Sequence, residues 1–237
     1  MAELEADPAY RQRIAKRDAA HRQRVAENAD EFALVRRALD DAGLPSDDFG
    51  RFTSGRHPDV IRPSVFDYRA AVPVLLDVLP RLTRPVVREA VVRSLSTANA
   101  RPAAASALLD EFRRTSDGQH PALKWAIGNA LSTVTTIEHV NALLELALDR
   151  SHGAGRQMVV DRLARFSKDD RIVPALQSVL ADEDVALHAM AGLRRRLGPA
   201  AALEHIRPLI SHPSERVRRA AAQQVRRAEK SLEAGRR

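Results

Sequence analysis

The sequence predicts an all-α protein, an α-solenoid of about five helix pairs behind an N-terminal helical leader. Three observations carry that prediction. Short apolar segments with helical spacing come in twos, and the closing residue of each second segment returns after a similar interval. Aromatic residues make up only 4% of the chain while Ala, Leu and Val carry the apolar share, which suits closely approaching helices better than a β-sandwich. Finally, no single segment has enough apolar surface to close a core alone, so each pair must stack on another.

The leader comes first. Asp7-Pro8 places a proline at the first position of a helix. From Tyr10 to Asn28 the chain carries Arg11, Arg13, Lys16, Arg17, Arg22 and Arg24 against a thin stripe of Tyr10, Ile14 and Val25. A mostly solvated helix is expected there. Asp30 is expected to cap a better amphipathic helix through Phe32, Val35, Leu39 and Ala42, ended by Gly43. Residues 45–67 are rich in Pro, Gly, Ser and Asp and read as an irregular connection, with Phe49, Phe52, Val60, Ile61, Val65 and Phe66 folding back on the body. The leader therefore occupies 1–67 and the repeats 68–237.

First helices of the pairs read VPVLLDVL from Val72, SALLDEF from Ser106, VNALLEL from Val140, VPALQSVL from Val173 and LEHIRPLI from Leu203. Second helices read VREAVVRSL, LKWAIGNAL, GRQMVVDRL, ALHAMAGL and VRRAAAQQV. Their closing residues Leu95, Leu131, Leu163, Leu193 and Val225 are 36, 32, 30 and 32 residues apart. A period in the low thirties with two helices per unit means stacked pairs. The final helix sets Arg216, Arg218, Arg219, Arg226 and Arg227 opposite Val217, Ala221, Val225 and Leu232, and reads as a polar cap.

Composition narrows the function. Cysteine is absent, which removes disulfides, thiolate metal sites and cysteine nucleophiles and fits a reducing cytoplasm. No apolar run reaches bilayer-spanning length, and the opening MAELEADPAY is acidic with no apolar signal core. A soluble, cytoplasmic protein without a membrane partner is expected. The net charge is +7. From Arg216 to Arg237 eight Lys/Arg stand against Glu229 and Glu233, an excess of +6, leaving +1 for the other 215 residues. The basicity is local. The eight histidines form no HExxH and no i,i+4 pair, and no GxSxG occurs, so neither a metal, a cofactor nor a catalytic residue is expected.

The pattern LxPLLxxL, a turn, then VRxxAxxxL resembles HEAT repeats, and residues 68–232 resemble the small bacterial HEAT-repeat proteins. The resemblance implies a right-handed solenoid in which the second helix of each pair lines a concave groove. It also brings in the HEAT-like DNA glycosylases, which use a Trp and an Asp on one helix. Here Trp125 is followed one turn later by Asn129, which cannot act as a carboxylate.

Aligned internally, the second helices place Arg88, Lys124, Arg156, Ala186 and Arg218 seven positions before the closing residue. This basic ladder either pins the preceding turn, as Asp117 and Asp149 seven residues before Lys124 and Arg156 suggest, or forms an anion-binding row. The next position holds Glu89, Trp125, Gln157, Leu187 and Arg219, and the position two before the close holds Arg93, Asn129, Asp161, Ala191 and Gln223. Both sets are mostly polar and are expected on the groove surface. Trp125 is either core or a partly exposed anchor, and Gly128 beside it is expected to leave open space. The turn Ser151-His152-Gly153-Ala154-Gly155-Arg156 reads as a tight connection or as backbone N–H groups presented to an anion, with His152 and Arg156 alongside. Asp110-Glu111, Asp169-Asp170 and Arg194-Arg195-Arg196 read as solvated faces or helix ends.

These residues point to a non-enzymatic scaffold that holds a protein or peptide through Arg88, Arg93, Lys124, Trp125, Asn129, His152, Arg156, Gln157 and Asp161. The alternative is nucleic-acid binding through Arg216, Arg218, Arg219, Arg226 and Arg227. A glycosylase is the third reading.

Overall fold

The computed structural model describes residues 7–44, 46 and 68–234, and its regular structure over those residues is helical, with no strand. The connection 45–67 apart from Ser46, including the six apolar residues expected to fold back, lies outside the described residues. So do the side chains of Arg17, Arg24, Val25 and Leu232. The chain forms two compact units, Met1–Leu95 and Ser96–Arg237.

In the first unit, α1 spans Pro8–Glu27 and starts where Asp7 accepts the Ala9 N–H at 2.9 Å. Its described side chains are exposed or half-exposed, as its arginine content requires. Helix α2 spans Ala29–Asp41 and buries Phe32, Val35 and Leu39. Asp30 is not its cap. Asn28 holds that position without a side-chain capping bond, and Asp30 with Glu31 falls in the first turn, where carboxylates suit the helix dipole. Gly43 ends the helix at φ 71°, with its N–H on the Asp40 carbonyl and the Leu44 N–H on the Leu39 carbonyl. That is a Schellman closure, which needs a residue free to enter the left-handed region.

Helix α3 (Tyr68–Val78) runs into a 3-10 turn at Leu79–Arg81, and α4 (Pro85–Leu95) completes the first pair. Glu31 from α2 reaches the entry to α4. Its carboxylate accepts the Thr83 N–H at 2.9 Å, the Thr83 hydroxyl at 2.5 Å and the Arg84 N–H at 3.0 Å. Burial works against this charge, but those bonds outweigh it and hold the Glu31 carboxyl below its ordinary value.

The second unit contains α5 (Ala105–Arg114) with α6 (Pro121–Val134), then α7 (Val140–Leu148) with α8 (Gln157–Leu163), and α9 (Ile172–Ser178) leading into α10 (Ala186–Ile206). Helix α10 is broken at Gly198, φ 82° and ψ 164°. Residues 186–197 therefore serve as the second helix of one pair. Residues 199–206, with the 3-10 turn Arg207–Ser211, serve as the first helix of the next, which α11 (Glu215–Ala234) completes. The second helices α6, α8, α10 and α11 pack in succession, and α7 packs on α9. Leu131, Leu163, Leu193 and Val225, the closing residues of the sequence pattern, are all buried, together with Phe112, Ile127, Val160, Leu176, Met190 and Val217.

Polar bonds in this unit recur at about one period. Gln157 Nε2 donates to the Asp184 carbonyl at 2.9 Å, 27 residues on. Arg162 Nε donates to the Thr135 hydroxyl at 3.2 Å across 27 residues, and Arg195 to Asp161 at 3.1 Å across 34. Each bond joins one pair to the next.

Gly128 does not leave open space. It is buried in α6, and a Cβ there would stand 2.6 Å from the Gly155 carbonyl oxygen, in the turn that enters α8. Gly128→Ala is expected to destabilise the protein by about 1–3 kcal/mol through overpacking, although alanine is the better helix former by about 1 kcal/mol. Urea unfolding measures the difference, and an unchanged or more stable variant contradicts the close approach.

Candidate functional site

The basic ladder turns inward. Lys124 is 0% exposed. Its ammonium donates to the Phe112 carbonyl and, at 2.8 Å, to the Thr115 carbonyl, which are the last groups of α5 and the turn after it. The third donor faces His152 Nδ1 at 3.0 Å, and the Nζ stands 3.8 Å over the Phe112 ring. All three N–H groups are thereby used, which assigns the His152 proton to Nε2, 3.6 Å from the Asp149 carboxylate. Burial pushes Lys124 down to about 8, while Asp117 and Asp149 act to keep it charged. Burial also lowers His152, and the neighbouring Lys124 charge adds to that effect. At neutral pH the pair is therefore ammonium and neutral imidazole.

Arg156 repeats the arrangement one pair later and is also 0% exposed. Its Nη1 donates to the Ala147 carbonyl and its Nε to the Gly153 carbonyl, both at 3.0 Å. Its Nη2 meets Asp182 in the following pair at 2.7 Å. Burial opposes the Asp182 charge, but the bond and charge of Arg156 overcome it and hold the carboxyl below its ordinary value. Arg218 donates through Nη1 to the His212 carbonyl at 2.8 Å and the Pro213 carbonyl at 2.6 Å. In each case the cation satisfies carbonyls left open where a first helix ends. The anion-binding row is therefore corrected: Lys124 and Arg156 are sealed from any partner, and Arg218 is half-buried. Arg88, in the first unit, is also half-buried.

The Ser151–Arg156 turn is likewise used internally. Gly153 has φ 52°, and a Cβ on it would strike the Asp117 carboxylate. One on Gly155 would strike the Lys124 stem. His152 is half-buried against Phe112, ring centroids 5.1 Å apart and edge-on. Glu111, expected on a solvated face, is 0% exposed and paired with Arg114.

What remains on the surface is a different set. Trp125 is 40% exposed on α6, and Asn129 one turn later is half-exposed. Gln157 and Asp161 follow on α8, with Asp161 held between Arg165 at 2.9 Å and Arg195 at 3.1 Å. Burial raises Asp161, but the bonds from Arg165 and Arg195 prevail and keep it ionised. On α4, in the first unit, Arg93 pairs with Glu89 at 2.7 Å. Along α11, Arg216, Arg219, Arg226 and Arg227 are exposed. Arg219 pairs with Glu215 at 2.6 Å and Arg216 donates to the Glu183 carbonyl.

Asp182 and Arg162 escaped the sequence reading. The signal was available, since Asp182 lies 26 residues after Arg156 and binds the Asp184 N–H of the next helix entry. Among the described residues no group of three His, Cys, Asp or Glu is placed to hold a metal, and no helix is long and apolar enough to cross a membrane.

Arg156→Ala leaves Asp182 and two carbonyls buried without their partner and is expected to cost about 3–5 kcal/mol, read by urea unfolding. Lys124 gives a pH signature. Between pH 8 and the ordinary lysine value of 10.5 the unfolded chain holds a proton that the folded chain has released. Stability relative to Lys124→Met should therefore rise with pH across that window. A parallel pH dependence of the two proteins contradicts the assignment. No family model, curated protein or solved structure matches the chain, so the function of this surface rests on its own geometry.

Proposed function

We propose that the protein is a non-enzymatic binding scaffold, an α-solenoid of HEAT-like helix pairs whose second helices hold a protein or peptide partner in a concave groove. The bonds that join one pair to the next at about one period support the stacked arrangement. The observation that carries the binding reading is Trp125. It stands 40% exposed on a second helix, at the position other pairs give to Glu89, Gln157, Leu187 and Arg219. A large ring left partly in water is the kind of residue that anchors protein interfaces. Asn129, Gln157 and Asp161 extend the face, and the Arg165–Asp161–Arg195 cluster fixes its charge pattern.

Nucleic-acid binding is the second reading, favoured by the exposed Arg226 and Arg227 of α11. It is weakened at Arg216, Arg218 and Arg219, which already bond to carbonyls or to Glu215.

The test is a pull-down from native-host lysate, with and without nuclease, using the wild type and Trp125→Ala. The scaffold reading expects a protein that survives nuclease and falls by about tenfold with the variant, while the variant melts like the wild type. Capture abolished by nuclease, or untouched by Trp125→Ala, removes it.

A further inference from the structure

In α6 two positions meet the following pair, and the first of them does so in α8 as well. Seven residues before the close, Lys124 faces His152 and Arg156 binds Asp182. Three before the close, Gly128 lies under the Gly155 carbonyl, and its equivalents Val160 and Met190 are buried. The residues that close the first-helix segments of the sequence pattern, Phe112, Leu146 and Leu180, are buried as well, although Leu148 at the end of α7 is 46% exposed. In the pair built from 199–211 and α11 these positions are Arg218, Ala222 and Ile210. Ile210 is 41% exposed. All three line one open groove of about 670 Å³, together with Arg219, Gln223 and Arg226.

The groove is therefore the equivalent of the seat that the α5–α6 pair offers to its successor, left open among the described residues. Its chemistry says what fits. In the α5–α6 and α7–α8 pairs the ladder cation meets the charge of a carboxylate from the incoming turn: Asp182 bonds Arg156, and Asp149 acts on Lys124 through its charge. Arg218 uses Nη1 on two carbonyls of its own turn, and no carboxylate among the described residues pairs with it. Arg226 adds a second exposed cation. We propose that this face docks an acidic amphipathic helix–turn element of a partner protein, seating an apolar residue against Ile210 and Ala222 and a carboxylate against Arg218. A second copy presenting the same face would bring Arg218, Arg219 and Arg226 against themselves, which like charge disfavours.

This surface is separate from Trp125, so the two readings fail independently. The probes are two synthetic amphipathic helical peptides with one Leu/Ala face, carrying Glu/Asp or Lys on the other, and a DNA duplex, each titrated into the full chain by fluorescence anisotropy. The acidic peptide should bind about tenfold more tightly than the basic one. Ile210→Ser and Arg226→Glu should each weaken it by about tenfold without changing the melting temperature, and Trp125→Ala should leave it unchanged. Failure of the acidic peptide to bind, or binding indifferent to Ile210→Ser, overturns the proposal. A duplex that binds as tightly and weakens equally with Ile210→Ser would show a general polyanion site instead. A concentration-dependent dimer abolished by Ile210→Ser in sedimentation would give the seat to a second copy.

Discussion

Buried cations hold the second unit together. Where a first helix ends, its final carbonyls have no helical partner. Lys124, Arg156 and Arg218 solve the problem at the same register, each reaching back from the second helix to two carbonyls of the preceding turn. The arrangement is tolerable only because each charge is met on several sides. Lys124 uses all three ammonium protons, and Arg156 spreads across two carbonyls and Asp182. The second partner comes from the neighbouring pair, so the same side chain closes one turn and fastens the next. Hydrophobic burial supplies the driving force, while these contacts set the distance and rotation from pair to pair.

The close approach of the pairs follows from the same geometry. For His152 to reach Lys124, the turn that carries it must lie directly on α6, and this is why Gly128, Gly153 and Gly155 have no room for a side chain. A cluster that looks from its composition like a small reactive centre, with a lysine of lowered pKa beside a histidine and two aspartates, is thus occupied in holding backbone. The framework leaves other side chains outward, Trp125 on one helix face and Ile210 with Arg226 at another place, and the proposed binding rests on these.

Much of this was legible in the residues. The helix pairs, their register and the burial of Leu131, Leu163, Leu193 and Val225 follow from apolar spacing, which reports directly on which side of a helix meets the core. The pinning role of the ladder was foreshadowed by Asp117 and Asp149, each seven residues upstream. Burial of Glu111 was not legible, because a charged residue carries the same letter whether it is solvated or paired with Arg114. Neither was the loss of space at Gly128, since a glycine marks an open gap and a tight contact alike. Asp30 was misplaced by two residues because an aspartate near a helix start suits both the capping position and the dipole.

Glu31 gives the leader a part in the architecture. By clasping Thr83 and Arg84 it completes the entry of α4 from a helix more than fifty residues upstream in the chain. The first pair therefore borrows its starting cap from outside the repeat pattern, and excising the leader would leave the N–H donors at the entry of α4 without this acceptor. A tether could be trimmed without loss. This segment is instead a keystone for the pair it precedes, because α2 supplies the carboxylate that meets the N–H groups at the entry of α4.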